Sequence, residues 1–361
     1  MIAALGVAAL TLVSTRPVSS HNPVTTTVLF NREVAAILNQ KCRQCHVADG
    51  MAMPLRTYAE TRPWAVAIKE EILARRMPPW PAERGYGAFA NDNGLTLREQ
   101  EFLISWIDGG APEGEGSPPP HQDHSGHWMI GEPDAIHAVT PDPAARPRAG
   151  GLVRFTVDPQ LRSEALISAL DFKPADRRAI RAAFFSVAAD GQYLGGWTPW
   201  YSSTRLPENA AFRLPPRTAI NVDVLYSESP APAAPARLGL YFAGSAAHRV
   251  ENVVLEGGAP AGVGRVHVEQ ALGGATTLLG LRIEMSEGAK SVELKAMRPD
   301  GSFESLLWIR DYRQDWQTPF VLRSPVSLPR GAVLSASAYF DPQIRTPRQV
   351  RMTFNGYVTS R

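Results

Sequence analysis

The sequence predicts a multidomain chain, all-α over residues 28–114 and all-β in two tandem sandwiches over 151–245 and 246–361. Three observations lead there. Apolar residues recur at helical spacing between Asn31 and Gly110, short apolar alternations separated by turns begin at Leu152, and 31 prolines and 29 glycines supply the breaks that many short strands require. At about 100–200 residues per domain, a chain of 361 residues makes two or three domains, each able to bury its own core. Lys+Arg 37 against Asp+Glu 35 leaves almost no net charge, so a nucleic-acid partner is not expected.

The first element is a leader. Ile2 to Val13 is apolar and too short to span a membrane, which predicts a signal peptide or N-terminal anchor over residues 1–20. The expected location is periplasmic, with membrane attachment only if the segment stays uncleaved.

Helices follow. Val34, Ile37 and Leu38 fall at i, i+3 and i+4 after Asn31, a suitable N-cap, and the helix runs to Lys41. A second spans Arg62 or Pro63 to Arg75 and stops at Met77-Pro78-Pro79-Trp80. A third starts at Thr96, with Glu99 completing a capping box, carries Phe102, Leu103, Trp106 and Ile107 on one face, and ends at Gly109-Gly110.

Directly after the first helix stands Cys42-Arg-Gln-Cys45-His46, which includes the only two cysteines. Cys-x-x-Cys-His is the attachment sequence of c-type haem: two thiols add to the porphyrin vinyl groups and the adjacent imidazole becomes an axial iron ligand. A thioredoxin-like pair wants a βαβ surround and a zinc site wants two further ligands, and neither is visible here. Covalent haem is attached outside the bacterial cytoplasm, which agrees with the leader. Of Met51, Met53 and Met77, the first two lie close to His46 in sequence, so Met77, on a segment stiffened by Pro78 and Pro79, is the expected second axial ligand. Trp64, Tyr86, Phe89 and Trp106 are expected around the porphyrin, and Arg75 and Arg76 either near its propionates or at a solvated helix end.

These ordered elements, with Met53-Pro-Leu, Arg62-Pro-Trp-Ala, Arg76-Met-Pro-Pro-Trp80 and Trp106-Ile-Asp-Gly-Gly-Ala-Pro112, resemble a cytochrome c module fused, in exported bacterial proteins, to a copper type II ascorbate-dependent monooxygenase-like region. The resemblance implies an all-α class I-like cytochrome c domain, one covalent haem on Cys42 and Cys45, and iron held by His46 and Met77.

Residues 115–150 are read as a linker rich in Gly, Pro and Ser. Within it His121, His124 and His127 are either solvated linker side chains or a copper or zinc site, since imidazole suits both metals.

Beyond the linker, strands are predicted at Val153–Val157, Ala182–Val187, Ala219–Tyr226, Leu238–Phe242, Val250–Leu255, Thr276–Met285, Ser291–Arg298, Ser302–Asp311, Pro319–Leu322, Ala332–Phe340 and Gln349–Val358. Phe172-Lys-Pro, Leu214-Pro-Pro-Arg-Thr, Met297-Arg-Pro-Asp-Gly and Asp315-Trp-Gln-Thr follow the order of the copper monooxygenases, which implies paired jelly rolls. The family's copper ligands are not matched: their positions hold Ala182, Ala183, Leu225, Glu284 and Ser286. Only His248 and His267 remain in this half, too few for two copper centres.

The leading expectation is therefore a periplasmic mono-haem electron-transfer protein that meets a redox partner protein, its sandwich pair serving binding or scaffolding and not copper chemistry. Two alternatives stay open, a haem-fed redox enzyme with an unrecognised metal site and a haem-dependent structural or sensing component.

Overall fold

The computed structural model describes residues 24–48, 52–121, 127–140, 151–174, 176, 179–201, 203–227 and 235–359. The expected leader, Met51 and His124 lie outside the described residues.

Strands dominate. In the first half they are β1 (Ala135–Val139), β2 (Leu152–Val157), β3 (Ala165–Lys173), β4 (Ile180–Val187), β5 (Tyr193–Trp197), β6 (Ser203–Arg205), β7 (Ala210–Leu214), β8 (Ile220–Tyr226), β9 (Ala236–Phe242) and β10 (His248–Arg249). They build two facing sheets, β1-β9-β3-β7-β10 with β6 on β3, and β2-β8-β4-β5. Phe172, Phe185, Trp197, Phe212 and Leu238 fill the space between them. The second half contributes β11 (Glu251–Ala259), β12 (Arg265–Ala271), β13 (Thr276–Met285), β14 (Ala289–Met297), β15 (Phe303–Ile309), β16 (Phe320–Leu328), β17 (Val333–Phe340) and β18 (Arg348–Val358). Its sheets are β11-β18-β13-β16 and β12-β17-β14-β15, closed over Leu281, Leu294, Leu307, Phe320 and Phe354. β1 falls within the expected linker and pairs with β9, so that stretch is partly sandwich.

The two sandwiches meet across a mixed interface. Arg282 of β13 sits 3.7 Å from Asp223 of β8 and lays its guanidinium over Phe184 of β4, while Asp223 is clasped within its own sheet by Arg154 at 2.7 and 2.9 Å and Arg282 within its own strand by Glu284 at 3.0 Å. Asn252 of β11 donates to Tyr193 O across the same junction and to Asn355 Oδ1 on neighbouring β18. Buried charges in such a place need partners, and here each carboxylate faces an arginine.

The expected all-α class I-like cytochrome c domain is corrected by this architecture. Helices are few and short: α1 (Ala35–Lys41), α2 (Tyr58–Thr61), α3 (Ala65–Leu73) and α4 (Leu97–Asp108), the longest twelve residues. They share a small core of Phe30, Val34, Leu38, Leu103 and Trp106. Between α3 and α4 the chain joins the second sandwich instead. Ala82 bridges Ile309, Phe89 bridges Leu322, and Ala90 N donates to Val321 O at 2.8 Å. Asn91 then accepts from Val321 N at 3.0 Å and donates to Pro319 O at 2.6 Å.

Local chemistry explains the departure. Pro78, Pro79 and Pro81 lack the amide that a continuing helix needs. Gly87 has φ +83°, and a Cβ there would meet Leu306 O at 2.2 Å, so only glycine lets the segment lie this close to β15. The aromatic residues expected around a porphyrin are placed otherwise: Phe89 packs on Trp80 and Phe320, Tyr86 on Trp308, Trp106 on Phe30, and Trp64 is exposed.

Smaller expectations divide. The Thr96–Glu99 capping box forms, and a second one, Thr57–Glu60, opens α2. Asn31 does not cap its helix; a π-type turn, Phe30–Val34, precedes α1, and the Asn31 amide donates to Gly114 O and Gly116 O. No helix among the described residues is long and apolar enough to cross a membrane.

Candidate functional site

α1 continues in hydrogen bonding into the motif. Cys42 N donates to Leu38 O at 3.0 Å, and Cys45 N and His46 N both donate to Cys42 O, at 3.1 and 3.0 Å. Positions i, i+3 and i+4 of a helical turn share one face, so this turn presents both sulfurs and the imidazole together. Neither thiol is in a disulfide. Desolvation, with Cys45 adding to it, pushes the Cys42 thiol up to about 12, which makes it a poor thiolate and speaks against a thioredoxin-like exchange pair.

His46 is oriented by its own chain. Its Nδ1 lies 2.9 Å from Met53 O, and a carbonyl only accepts, so Nδ1 carries the proton and Nε2 keeps its lone pair. Burial lowers the imidazole pKa, against a smaller opposing pull from that carbonyl, and so favours the neutral ring. Leu55 N donates back to His46 O at 2.9 Å. Arg43, 3% exposed, anchors the same loop: Nε donates to Leu55 O at 2.8 Å, and its terminal nitrogens reach Arg56 O and Asn39 Oδ1.

Cys42, Cys45, His46 and Met77 line one cavity of about 180 Å³. Its far wall comes from the sandwiches, with Arg181 on β4 and Trp316 in the 3-10 turn Gln314–Trp316. A second cavity, about 410 Å³, has Met77 and Pro78 in its own lining. Two thiols, a neutral imidazole and a thioether are the donors a c-type haem requires. The smaller cavity falls below the roughly 300–1,000 Å³ of cofactor-sized sites, and the larger, which shares Met77 and Pro78 with it, falls within that range.

Two donors on the shared wall are orphaned. Arg181 Nε and Trp316 Nε1 are buried without a hydrogen-bond partner, each at a desolvation cost of about 1–3 kcal/mol. Sequence reasoning missed both residues, because they stand on different sandwiches and only the tertiary fold brings them to the motif. Arg75 and Arg76 are engaged locally instead, with Glu83 and Glu71.

The remaining positions separate. Ala182 and Leu225 are fully buried in a small apolar cluster with Phe184 and Tyr193, and Ala183 belongs to the first sandwich core. Glu284 pairs with Arg282, and Ser286 Oγ accepts from Gln349 N. His248 stacks on Tyr357, whereas His267 sits between Ser337 and Glu269. His121 and His127 are described without His124. Among the described residues no three His, Cys, Asp or Glu side chains gather as a metal-holding group, so the expected metal-binding character is corrected: no iron, copper or zinc centre is built from these side chains alone. The description as a cytochrome c is corrected with it, since the helical portion is an attachment to a β-sandwich molecule.

No family model and no curated protein matches the chain. Among solved structures it is similar to the major capsid protein P2 of bacteriophage PM2, at 11% identity and TM-score 0.29, over 63% of this chain and 98% of that one. A two-domain protein of unknown function from Bacteroides fragilis gives 10% identity and TM-score 0.21 over 61% of this chain and 93% of that one. A chain of Sulfolobus turreted icosahedral virus gives 10% identity and TM-score 0.21 over 63% and 58% respectively.

Proposed function

We propose that this is an exported electron-transfer protein with one haem bound covalently through Cys42 and Cys45, and that its kin are the exported bacterial proteins that fuse such a module to a copper monooxygenase-like region. The observation that carries the reading is the convergence of Cys42, Cys45, His46 and Met77 on one cavity, with the imidazole fixed by Met53 O so that Nε2 is left for a metal. Bound there, a haem supplies a one-electron couple.

The chain's own residues do the rest. In a haem-loaded chain the Cys42 and Cys45 thiols would tether the group and His46 Nε2 and the Met77 sulfur would hold its iron, while Arg43 holds the loop that orients the imidazole. The sandwiches wall one side of the site with Arg181 and Trp316. A periplasmic redox protein is the proposed partner.

Production by export alongside haem-maturation machinery, with Met77→Ala compared to the parent, tests the ligand set. The parent is expected to give a low-spin spectrum in both oxidation states and the variant a high-spin ferric form. Identical spectra would remove Met77 from the iron.

A further inference from the structure

We propose that Arg181 and Trp316 form a carboxylate-binding pair that holds a haem propionate, so that the two sandwiches complete the haem site. The inference rests on the haem reading above. The residues of the cavity include Lys41 and Arg181 and no Asp or Glu, so its electrostatics favour an anion. Arg181 Nε and Trp316 Nε1 are its two buried donors without acceptors, and Trp316 is only 8% exposed.

Both groups are held in place. The guanidinium of Arg181 lies over the Trp316 ring at 4.8 Å, and its Nη1 donates to Asp315 O at 2.9 Å and approaches Asp315 Oδ2 at 3.3 Å. Asp315 does not neutralise the site, because Arg313 already takes the same carboxylate at 2.8 Å. Two guanidiniums on one carboxylate leave a net positive charge beside two buried N–H groups that lack acceptors. A carboxylate that accepts from these donors satisfies them and the charge.

The pair acts by positioning, and reduction potential reads it. In the haem-loaded chain, removing a positive charge near the iron stabilises the ferric form, so Arg181→Gln is expected to lower the midpoint potential, and Arg181→Lys to restore most of the loss. Trp316→Phe keeps the ring and loses only the donor, with a smaller decrease expected. All three variants are expected to keep one haem per chain by reduced pyridine spectrum, since the thiol tethers are untouched. Acetate added to the parent is expected to leave its potential unchanged.

Parental potentials in both Arg181→Gln and Trp316→Phe, on chains that carry haem, would overturn the pair while leaving the haem reading intact. A Lys variant as low as the Gln variant would assign Arg181 a structural role and also overturn it. A saturable response of the parent to acetate would give the site to a free carboxylate. A parent with no haem would defeat both readings.

Discussion

Arg43→Met tests how the motif loop is held. Arg43 is almost wholly buried and serves three acceptors, Leu55 O at 2.8 Å, Arg56 O and Asn39 Oδ1. Each buried acceptor left without its donor costs about 1–3 kcal/mol. Methionine refills part of the stem volume, and water reaches exposed Arg56. A net local loss of about 2 kcal/mol follows, roughly a thirtyfold rise in opening. Hydrogen exchange by mass spectrometry on haem-free protein reads this directly. The peptide covering residues 42–58 is expected to exchange about thirtyfold faster, and the β13 peptide at the parental rate. A change below about threefold in the loop, or equal acceleration in both peptides, would refute the local bracing role.

Three further outcomes follow from burial and packing. In haem-free Cys45→Ala protein, iodoacetamide is expected to alkylate Cys42 well below the rate of an ordinary thiol, because desolvation, the larger of the two causes that raise its pKa, remains when Cys45 is gone; ordinary reactivity would contradict the desolvated setting. Asp171 is 1% exposed and accepts from Met129 N and Phe172 N, yet burial outweighs those bonds and raises its carboxyl pKa to about 6. The native state then holds a proton that the unfolded chain releases near pH 4, so stability falls as pH rises from about 4 to about 6, by on the order of 3 kcal/mol, and is level above. Asp171→Asn is expected to flatten that decline in urea titrations across pH, and an unchanged slope would show that another group causes it. Gly87→Ala places a Cβ against Leu306 O at positive φ, with an expected cost of roughly 2 kcal/mol and faster proteolysis of residues 82–91; parental resistance would mean that this segment does not depend on its seat on β15.

Local signals in the sequence were reliable where one element decides the outcome. The Thr96–Glu99 box needs only its own turn, and strands such as β2, with its alternating burial, carry their own period. β3, β5 and β7 were not legible because they are buried on both faces or interrupted by glycine, and β12 because it is polar and mostly exposed. Tyr86 and Phe89 misled for a different reason: an aromatic residue records that it will be buried, not against what, and here Trp308 and Phe320 of the second sandwich take them. The same limit applies to the site. Cys42, Cys45 and His46 are contiguous and readable, whereas Arg181 and Trp316 arrive through strand order in two sandwiches.

Intact mass and iron content of the exported protein, set beside its Cys42→Ala/Cys45→Ala variant, bear most directly on the haem assignment. One haem added per parental chain, with one iron, and neither in the variant is the expected result. A parental chain of unmodified mass and no iron, made beside competent maturation machinery, would contradict it.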